Sequence, residues 1–200
     1  MRHALISVYN KTDIVSFVRE LSNLGFEIIS TGGTHDTLKK AGIHNVKHVS
    51  DITEFPEMLD GRIKTQHPRL MAAILAQRDQ EDHMKALESH GIEPMDLVAC
   101  NLYPFKKVKE QGAELKTALE NIDIGGPNMI RAAAKNFSNV VVVTNPKKYD
   151  KIITEYRMNG NVSLETRRAL AVEAFRETAH YDLAIFKFLE KTFGSKDYGQ

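Results

Sequence analysis

One segment of the chain, residues 121–136, combines a carboxylate, two glycines and a proline ahead of an alanine-rich run. Gly125 and Gly126 let the backbone approach a ligand closely, because neither has a Cβ. Pro127 suits the first position of a helix, and the alanines that follow favour helix. We therefore predict a helix that begins at Pro127. Asp123 would lie just before its N terminus, where unpaired N–H groups favour negative charge.

The same segment supplies two cations. Arg131 and Lys135 are four residues apart, so they share one face of the predicted helix. Two interpretations are open for them: a solvated cationic face, or a site that binds an anion or a polarised carbonyl. The second interpretation would make this helix part of a functional site.

These residues need a framework, and the pattern of the chain predicts an α/β fold. Short β-branched runs alternate with helical periodicity, which is typical of a mainly parallel sheet flanked by helices. We predict strands at residues 4–8, 26–30, 46–49, 97–102 and 140–144, and helices at 12–24, 35–41 and 163–193. Residues 53–78 stay unassigned, because two X-Pro pairs interrupt any pattern there. In such a sheet, ligands bind where loops leave the carboxyl ends of strands.

The loop after the second predicted strand is Ser30-Thr31-Gly32-Gly33-Thr34. Its glycine N–H groups, its hydroxyls and the helix start behind it favour a phosphate. Lys11, after the first strand, could add a cation. The spacing matches neither a P-loop nor the dinucleotide fingerprint. A simple turn in which Thr34 caps the helix is the alternative.

Two further loops carry polar side chains. In an extended conformation Arg62 and Lys64 point to the same side, and Pro68 disfavours helix at the residue before it. The alternative there is a solvated basic loop. Asn101 and Tyr103 alternate with an apolar residue and could both face a cleft, although Tyr103 could instead pack on the core. We interpret Cys100 as a small buried residue near the site.

Composition narrows the class of protein. The 200 residues are 42% apolar with a net charge of +1, which fits an ordinary globular protein and argues against broad nucleic-acid binding. The single cysteine excludes an intrachain disulfide, and the eight histidines lack metal-ligand spacing. No apolar stretch approaches the roughly 20 residues that cross a bilayer. We expect a cytoplasmic protein without a bound metal, a nucleic acid or a membrane as partner.

Five motifs in register resemble those of the inosine monophosphate (IMP) cyclohydrolase family. They are Ser7-Val8-Tyr9-Asn10-Lys11, residues 30–34, Gly61-Arg62-Ile63-Lys64-Thr65-Gln66-His67-Pro68, Asn101-Leu102-Tyr103-Pro104-Phe105 and Ile122-Asp123-Ile124-Gly125-Gly126; residues 131–136 and 165–168 extend the match. The resemblance covers nearly the whole chain. It implies the methylglyoxal-synthase-like fold, a Rossmann-like three-layer α/β structure with a mainly parallel sheet flanked by helices. We expect the core at residues 1–145 and a helical C-terminal extension at 146–200.

The resemblance also implies a reaction, the dehydrative closure of 5-formamidoimidazole-4-carboxamide ribonucleotide (FAICAR) to IMP without a cofactor. The implied catalytic residues are Lys64, Tyr103, Asp123 and Lys135. Asp123 would take a proton from the carboxamide nitrogen, while N–H groups at Gly125 and Gly126 would stabilise the oxyanion. The implied substrate-binding residues are Ser7, Lys11, Thr31, Gly32, Gly33, Thr34, Arg62, Thr65, His67, Cys100, Asn101, Ile124, Gly125 and Gly126. Relatives of this family are dimers, so a homodimer is expected.

The sequence departs from the family pattern in two places. Gln66 stands where leucine is expected, after the residues that would face the ligand. The formyltransferase domain that accompanies this family in bifunctional proteins is not expected in these 200 residues, which would be a stand-alone enzyme or an excised domain. Two other functions stay open: a methylglyoxal synthase-type lyase, and a non-catalytic module that binds a purine nucleotide for regulation.

Overall fold

The computed structural model describes residues 1–56, 58–59, 62–105 and 114–194. Five parallel strands form one sheet in the order β3-β2-β1-β4-β5. Their bounds are β1 Arg2–Val8, β2 Phe26–Ser30, β3 Val46–His48, β4 Leu97–Asn101 and β5 Val141–Val143. The predicted α/β fold with a parallel sheet is confirmed.

Helices cover both faces of this sheet. They are α1 Ile14–Asn23, α2 Gly32–Lys40, α3 Val49–Thr53, α4 Pro68–Leu75, α5 Glu81–Ser89, α6 Leu115–Glu120, α7 Gly125–Lys135, α8 Tyr149–Asn159 and α9 Leu164–Phe193, with a 3-10 turn at Pro146–Lys148. Strand β4 is buried along its apolar residues, as expected when helices pack on both sides of a parallel sheet. Helix α1 buries only one stripe, Ile14, Phe17, Val18 and Leu21.

Two helices begin earlier than their sequences predict, and both differences bear on the site. Helix α2 starts at Gly32, so the glycine pair belongs to its first turn and not to a preceding loop. Helix α7 starts at Gly125, so Pro127 is its third residue; the prediction that Pro127 opens the helix is wrong. Proline is tolerated there, because its missing N–H would have no partner within the first turn anyway.

The unassigned region, residues 53–78, begins at the last residue of the short helix α3 and contains helix α4. Pro68 opens α4, and the His67 ring accepts a hydrogen bond from the Arg69 N–H at 3.3 Å as the helix cap. Gly61, part of the motif at 61–68, lies outside the described residues.

After β5 the described chain is mainly helical, and its last helix, α9, ends at Phe193. Helix α9 packs along α7 and β5, and Ser163 caps it by accepting a hydrogen bond from the Thr166 N–H at 3.2 Å. The Thr166 hydroxyl donates a hydrogen bond to Glu155 at 2.6 Å. Within the described residues, no helix combines the length and the apolar character needed to cross a membrane.

Candidate active site

The strand order changes direction between β1 and β4. From β1 the chain builds outward to β2 and β3, and then returns to the other side for β4 and β5. Such a switch point opens a crevice at the carboxyl ends of the two central strands. Val8 and Asn101 are paired in register at those ends, so the loops that follow them form the walls of one cleft.

The first wall is the junction of β1 with helix α2. The hydroxyls of Ser7 and Thr31 lie 2.8 Å apart. The Thr34 hydroxyl accepts a hydrogen bond from the Val8 N–H and donates one to the Val8 carbonyl. These bonds hold the start of α2 against the end of β1, so that the N–H groups of its first turn and the hydroxyls are fixed around one small space.

Lys11 brings a cation to this space. Its Nζ donates hydrogen bonds to the carbonyls of Val8, at 3.1 Å, and Tyr9, at 3.4 Å. Partial burial lowers the pKa of Lys11 from its ordinary value. Partial burial destabilises the charged ammonium group because it removes bound water. A nearby anion would stabilise the charged form in place of that water.

The end of β4 forms the second wall. The Asn101 side-chain oxygen accepts hydrogen bonds from the N–H groups of Tyr9 and Asn10, both at 2.8 Å, and its amide donates to the Asn10 carbonyl at 3.1 Å. Asn101 therefore positions the loop after β1. The rings of Tyr9 and Tyr103 meet edge to face with their centroids 4.4 Å apart. The predicted placement of Asn101 and Tyr103 at a cleft agrees with this geometry.

Asp123 lines the cleft, two residues before the start of α7. Its Oδ1 accepts a hydrogen bond from the Gly126 N–H at 2.8 Å. Burial raises the pKa of Asp123; the hydrogen bond from Gly126 and the charge of Lys64 oppose that rise. The Lys64 Nζ lies close to the first turn of α2, since a Cβ on Gly32 would stand 3.4 Å from it. A carboxylate with a raised pKa thus shares the cleft with an ammonium group and with residues 30–34, here called the anion loop, which join the end of β2 to the first turn of α2.

The cleft has two compartments. The first has a volume of about 290 Å³ and is lined by the anion loop, Asn101 and Tyr103; the second has about 420 Å³ and is lined by Arg62, Thr65, Ile124 and Gly125, among others. Lys64, Glu120, Ile122 and Asp123 line both. A ligand with an anionic end and a reactive ring could therefore span the two, with Asp123 and Lys64 at the junction.

Positions 125 and 126 of α7 require glycine, because neighbouring side chains occupy the space that a Cβ would fill. A Cβ on Gly126 would stand 2.5 Å from Asp123 Oδ2 and 2.6 Å from Leu102 Cδ2. A Cβ on Gly125 would collide with the Thr65 hydroxyl. The glycine pair thus permits the close approach that fixes the carboxylate against the helix.

We expect Gly126→Ala to lower the free energy of unfolding by about 1–3 kcal/mol, because Asp123 and Leu102 must both move aside. Urea unfolding followed by circular dichroism measures this. Gly33→Ala is the matched control: an added Cβ there meets nothing within 4 Å, and alanine favours helix, so stability should be unchanged or slightly higher. Equal unfolding free energies for Gly126→Ala and the wild type would contradict the packing argument.

Three predicted roles are corrected by the structure. Lys135 is not brought to the cleft: it ends helix α7, ten residues and about 15 Å beyond Gly125, and it lines a separate groove with Arg131 and Arg168. The Gly126 N–H is bonded to Asp123 and is not available to an oxyanion. His67 caps α4 and does not line either compartment.

Cys100 lies behind the site and not in it. Its side chain is buried, and its Sγ donates a long contact of 3.9 Å to the Gly126 carbonyl. Burial, with a smaller contribution from the charge of Asp123, raises the pKa of the Cys100 thiol. The predicted burial of Cys100 is confirmed. The structure does not place its thiol among the residues that line either compartment.

Sequence reasoning missed several residues that line the cleft, among them Glu120, Tyr9, Asn121 and Ile122, and one residue behind it. Glu120 lines both compartments and forms an ion pair with Arg62. Tyr9 contributes a ring to the first compartment. The Tyr181 hydroxyl, on α9, accepts a hydrogen bond from the Asp123 N–H. Tyr9 lies inside a recognised motif and Glu120 lies two residues before another, which is a usable signal. Nothing local in the sequence connects Tyr181 with Asp123.

The arrangement suits acid–base chemistry on a phosphorylated small molecule. Asp123 has the partly buried setting of a general base, and Lys64 is the neighbouring acid or electrostatic partner. Across the described part of the chain, no group of three or more histidine, cysteine, aspartate or glutamate side chains is placed to hold a metal ion.

The chain matches two family models and superimposes on a solved structure. Residues 13–128 match the family model of the MGS-like domain, and residues 133–199 match that of the AICARFT/IMPCHase bienzyme. A solved structure, described as the crystal structure of ForH, superimposes with a TM-score of 0.82 at 32% identity, covering 94% of this chain and 98% of that one.

Curated relatives are longer than this chain. A bifunctional purine biosynthesis protein PurH from Persephonella marina is 52% identical over 193 residues, which are 96% of this chain and 37% of that protein. The PurH proteins of Thermoanaerobacter sp. and Listeria welshimeri are 53% and 51% identical, over 94% and 97% of this chain. The chain spans 37% and 38% of the length of those two proteins.

Proposed function

The chain belongs to the family of MGS-like domains, and on that premise we propose that it is an IMP cyclohydrolase, which closes FAICAR to IMP with loss of water. The observation that carries this proposal is the junction of the two compartments, where Asp123 faces Lys64 beside an anion loop. Ring closure of a nucleotide requires a base at the ring and a separate site for the phosphate. The match to the bienzyme model and the PurH relatives support the same activity.

In the first step, the carboxamide nitrogen of the substrate attacks the formyl carbon. A C–N bond forms, Asp123 accepts one proton from that nitrogen, and the formyl oxygen receives a proton and becomes a hydroxyl. In the second step, that hydroxyl leaves as water with a further proton, while the former formamide nitrogen loses its hydrogen. Two protons leave nitrogen and two reach oxygen, so the sum is the loss of one water.

Lys64 is the proton donor to the oxygen in this proposal. Its Nζ is near the start of α2 and its charge acts on Asp123, so it can stabilise negative charge on the formyl oxygen and then protonate it. Tyr103 orients this group from the wall of the first compartment. Holding both ends of one molecule in a reactive geometry supplies much of the acceleration, so no cofactor is needed.

The anion loop holds the 5′-phosphate. Ser7, Thr31, Gly33, Thr34 and Lys11 line the first compartment, and Gly32 lies in the same turn. Asn101 positions that wall, while Arg62, Thr65, Ile124 and Gly125 bound the second compartment, where the ring would lie.

The direct test is to follow ring closure by ultraviolet absorbance on the purified chain with FAICAR. Formation of IMP at catalytic rates would support the proposal. Binding of IMP without turnover would indicate a regulatory module, and release of methylglyoxal from dihydroxyacetone phosphate would indicate a lyase. Either of the latter outcomes overturns the cyclohydrolase assignment.

We expect Lys11→Met to raise KM for the nucleotide by about tenfold while kcat changes less than threefold. The phosphate carries its charge throughout the reaction, so its contact with Lys11 binds substrate and transition state equally. Steady-state kinetics measures the separate effects on KM and kcat. Lys40→Met, at the exposed far end of α2, should leave both constants unchanged. A fall in kcat with unchanged KM would place Lys11 outside the phosphate site.

We further propose a cytoplasmic homodimer in which residues 1–145 and the extension 146–200 form one catalytic unit. Val172, Phe186 and Phe193 on α9 are more than half exposed, and apolar side chains on one long helix favour an interface. The free thiol at Cys100 suits a reducing compartment. Sedimentation of the purified chain tests the dimer.

A further inference from the structure

We propose that Tyr181, on the C-terminal helix α9, is a positioning residue that holds Asp123 in the geometry required for proton transfer. The inference rests on the proposed cyclohydrolase function and assigns part of that site to the helical extension. Tyr181 lines neither compartment, so it acts through the backbone of the Asp123 loop and not on the substrate.

The contact is a pair of hydrogen bonds to the loop between α6 and α7. The Asp123 N–H donates to the Tyr181 hydroxyl at 2.7 Å, and that hydroxyl donates to the Asn121 carbonyl at 3.4 Å. One phenol therefore bonds both the residue that carries the carboxylate and the residue two positions before it. The two partners lie 58 and 60 residues away in sequence.

The Tyr181 side chain is itself held in place. It is 7% exposed, and its ring lies edge to face with Phe105, whose centroid is 6.4 Å away. Phe105 in turn packs against Phe188, which lies about two turns beyond Tyr181 on the same face of α9, with ring centroids 5.5 Å apart. Because the Tyr181 ring is closely packed in this cluster, it has little freedom to move. Its hydroxyl therefore fixes the position of the loop that is bonded to it.

The Tyr181 hydroxyl keeps its proton at neutral pH. Burial raises the pKa of Tyr181 to about 12, against a smaller lowering by its hydrogen bond with Asp123. The hydroxyl can therefore accept from Asp123 and donate to Asn121 at the same time.

With this contact, Asp123 is fixed at two points. Tyr181 holds its main chain from α9, and Gly126 holds its carboxylate from α7. Without the phenol the N–H loses its partner in a partly buried setting, and the loop shifts to find another. A displacement near 1 Å at a reacting group can lower the rate by about a hundredfold.

The test is Tyr181→Phe in the full chain, with Tyr156→Phe as the matched control. Both changes remove one hydroxyl from a buried tyrosine, and Tyr156 lies on α8 against Arg2 and Phe26, away from the cleft. We expect kcat of Tyr181→Phe to fall by about 10- to 100-fold, with KM for FAICAR within threefold and full stoichiometric binding of IMP. The control should retain wild-type constants.

Hydrogen exchange of the Asp123 amide gives a second, activity-independent readout. That amide should be protected in the wild type and in Tyr156→Phe, and should exchange at least tenfold faster in Tyr181→Phe. A kcat within twofold of the wild type would overturn the inference, as would equal losses in both variants or failure of Tyr181→Phe to fold. If the wild type closes no ring, the proposed function fails, while the exchange data still decide whether Tyr181 holds the loop.

Discussion

Asp123→Asn is expected to lower kcat for ring closure by about 10²- to 10⁴-fold and to change KM less than threefold. A positioned general base contributes an acceleration of that order. Asparagine keeps the size of the side chain and an oxygen that can accept the Gly126 N–H, so the fold of the loop is retained. It cannot take a proton from the carboxamide nitrogen. The loss therefore falls on the transition state and not on ground-state binding.

Steady-state kinetics at saturating FAICAR, together with calorimetric titration of IMP, separates these effects. Asp150→Asn is a suitable control, because Asp150 is exposed in the first turn of α8. Turnover of Asp123→Asn at the wild-type rate would remove Asp123 from the mechanism. A parallel loss of IMP affinity would indicate that the change acts on binding and not on proton transfer.

The framework of this site could be predicted from sequence because its signals are local. The alternation of β-branched runs with helical stripes gives the order of strands and helices, and parallel strands bring their carboxyl ends to one edge. That rule alone predicts that the loops after Val8, Ser30 and Asn101 lie together at the ligand-binding edge of the sheet. The bounds of β2, at Phe26–Ser30, agree residue by residue with the prediction, because Gly25 and the glycine pair delimit a short apolar run.

The errors concern distances that local sequence does not encode. The spacing of four residues correctly places Lys135 on the same helix face as Arg131. It does not show that Lys135 lies at the opposite end of α7 from Asp123. The start of α7 was misplaced because Pro127 fits several positions of the first turn. The hydrogen bond between Asp123 and Tyr181 depends on how α9 crosses the molecule, which is a property of tertiary packing.

Lys64→Met is expected to lower kcat by about 10²- to 10³-fold, because it removes the proposed proton donor and the positive charge beside the formyl oxygen. It should also change the pH dependence. Burial raises the pKa of Asp123 and Lys64 lowers it, so loss of Lys64 leaves that pKa higher. The base must be ionised to act, and activity falls as the pH drops through its pKa. The acid limb of the kcat profile should therefore move to higher pH.

Lys64→Arg separates the two roles of the lysine. The guanidinium keeps the charge, so the acid limb should stay close to that of the wild type. It holds its proton too firmly to donate it, so kcat should still fall by about tenfold or more. Measuring kcat from pH 5 to pH 9 for the wild type and both variants decides the assignment. If Lys64→Met kept the wild-type acid limb, one of two conclusions would follow. Either the limb reports the ionisation of a group other than Asp123, or Lys64 does not affect the pKa of Asp123. If Lys64→Arg kept the wild-type kcat, Lys64 would supply charge alone, and the proton would reach the departing oxygen from another group.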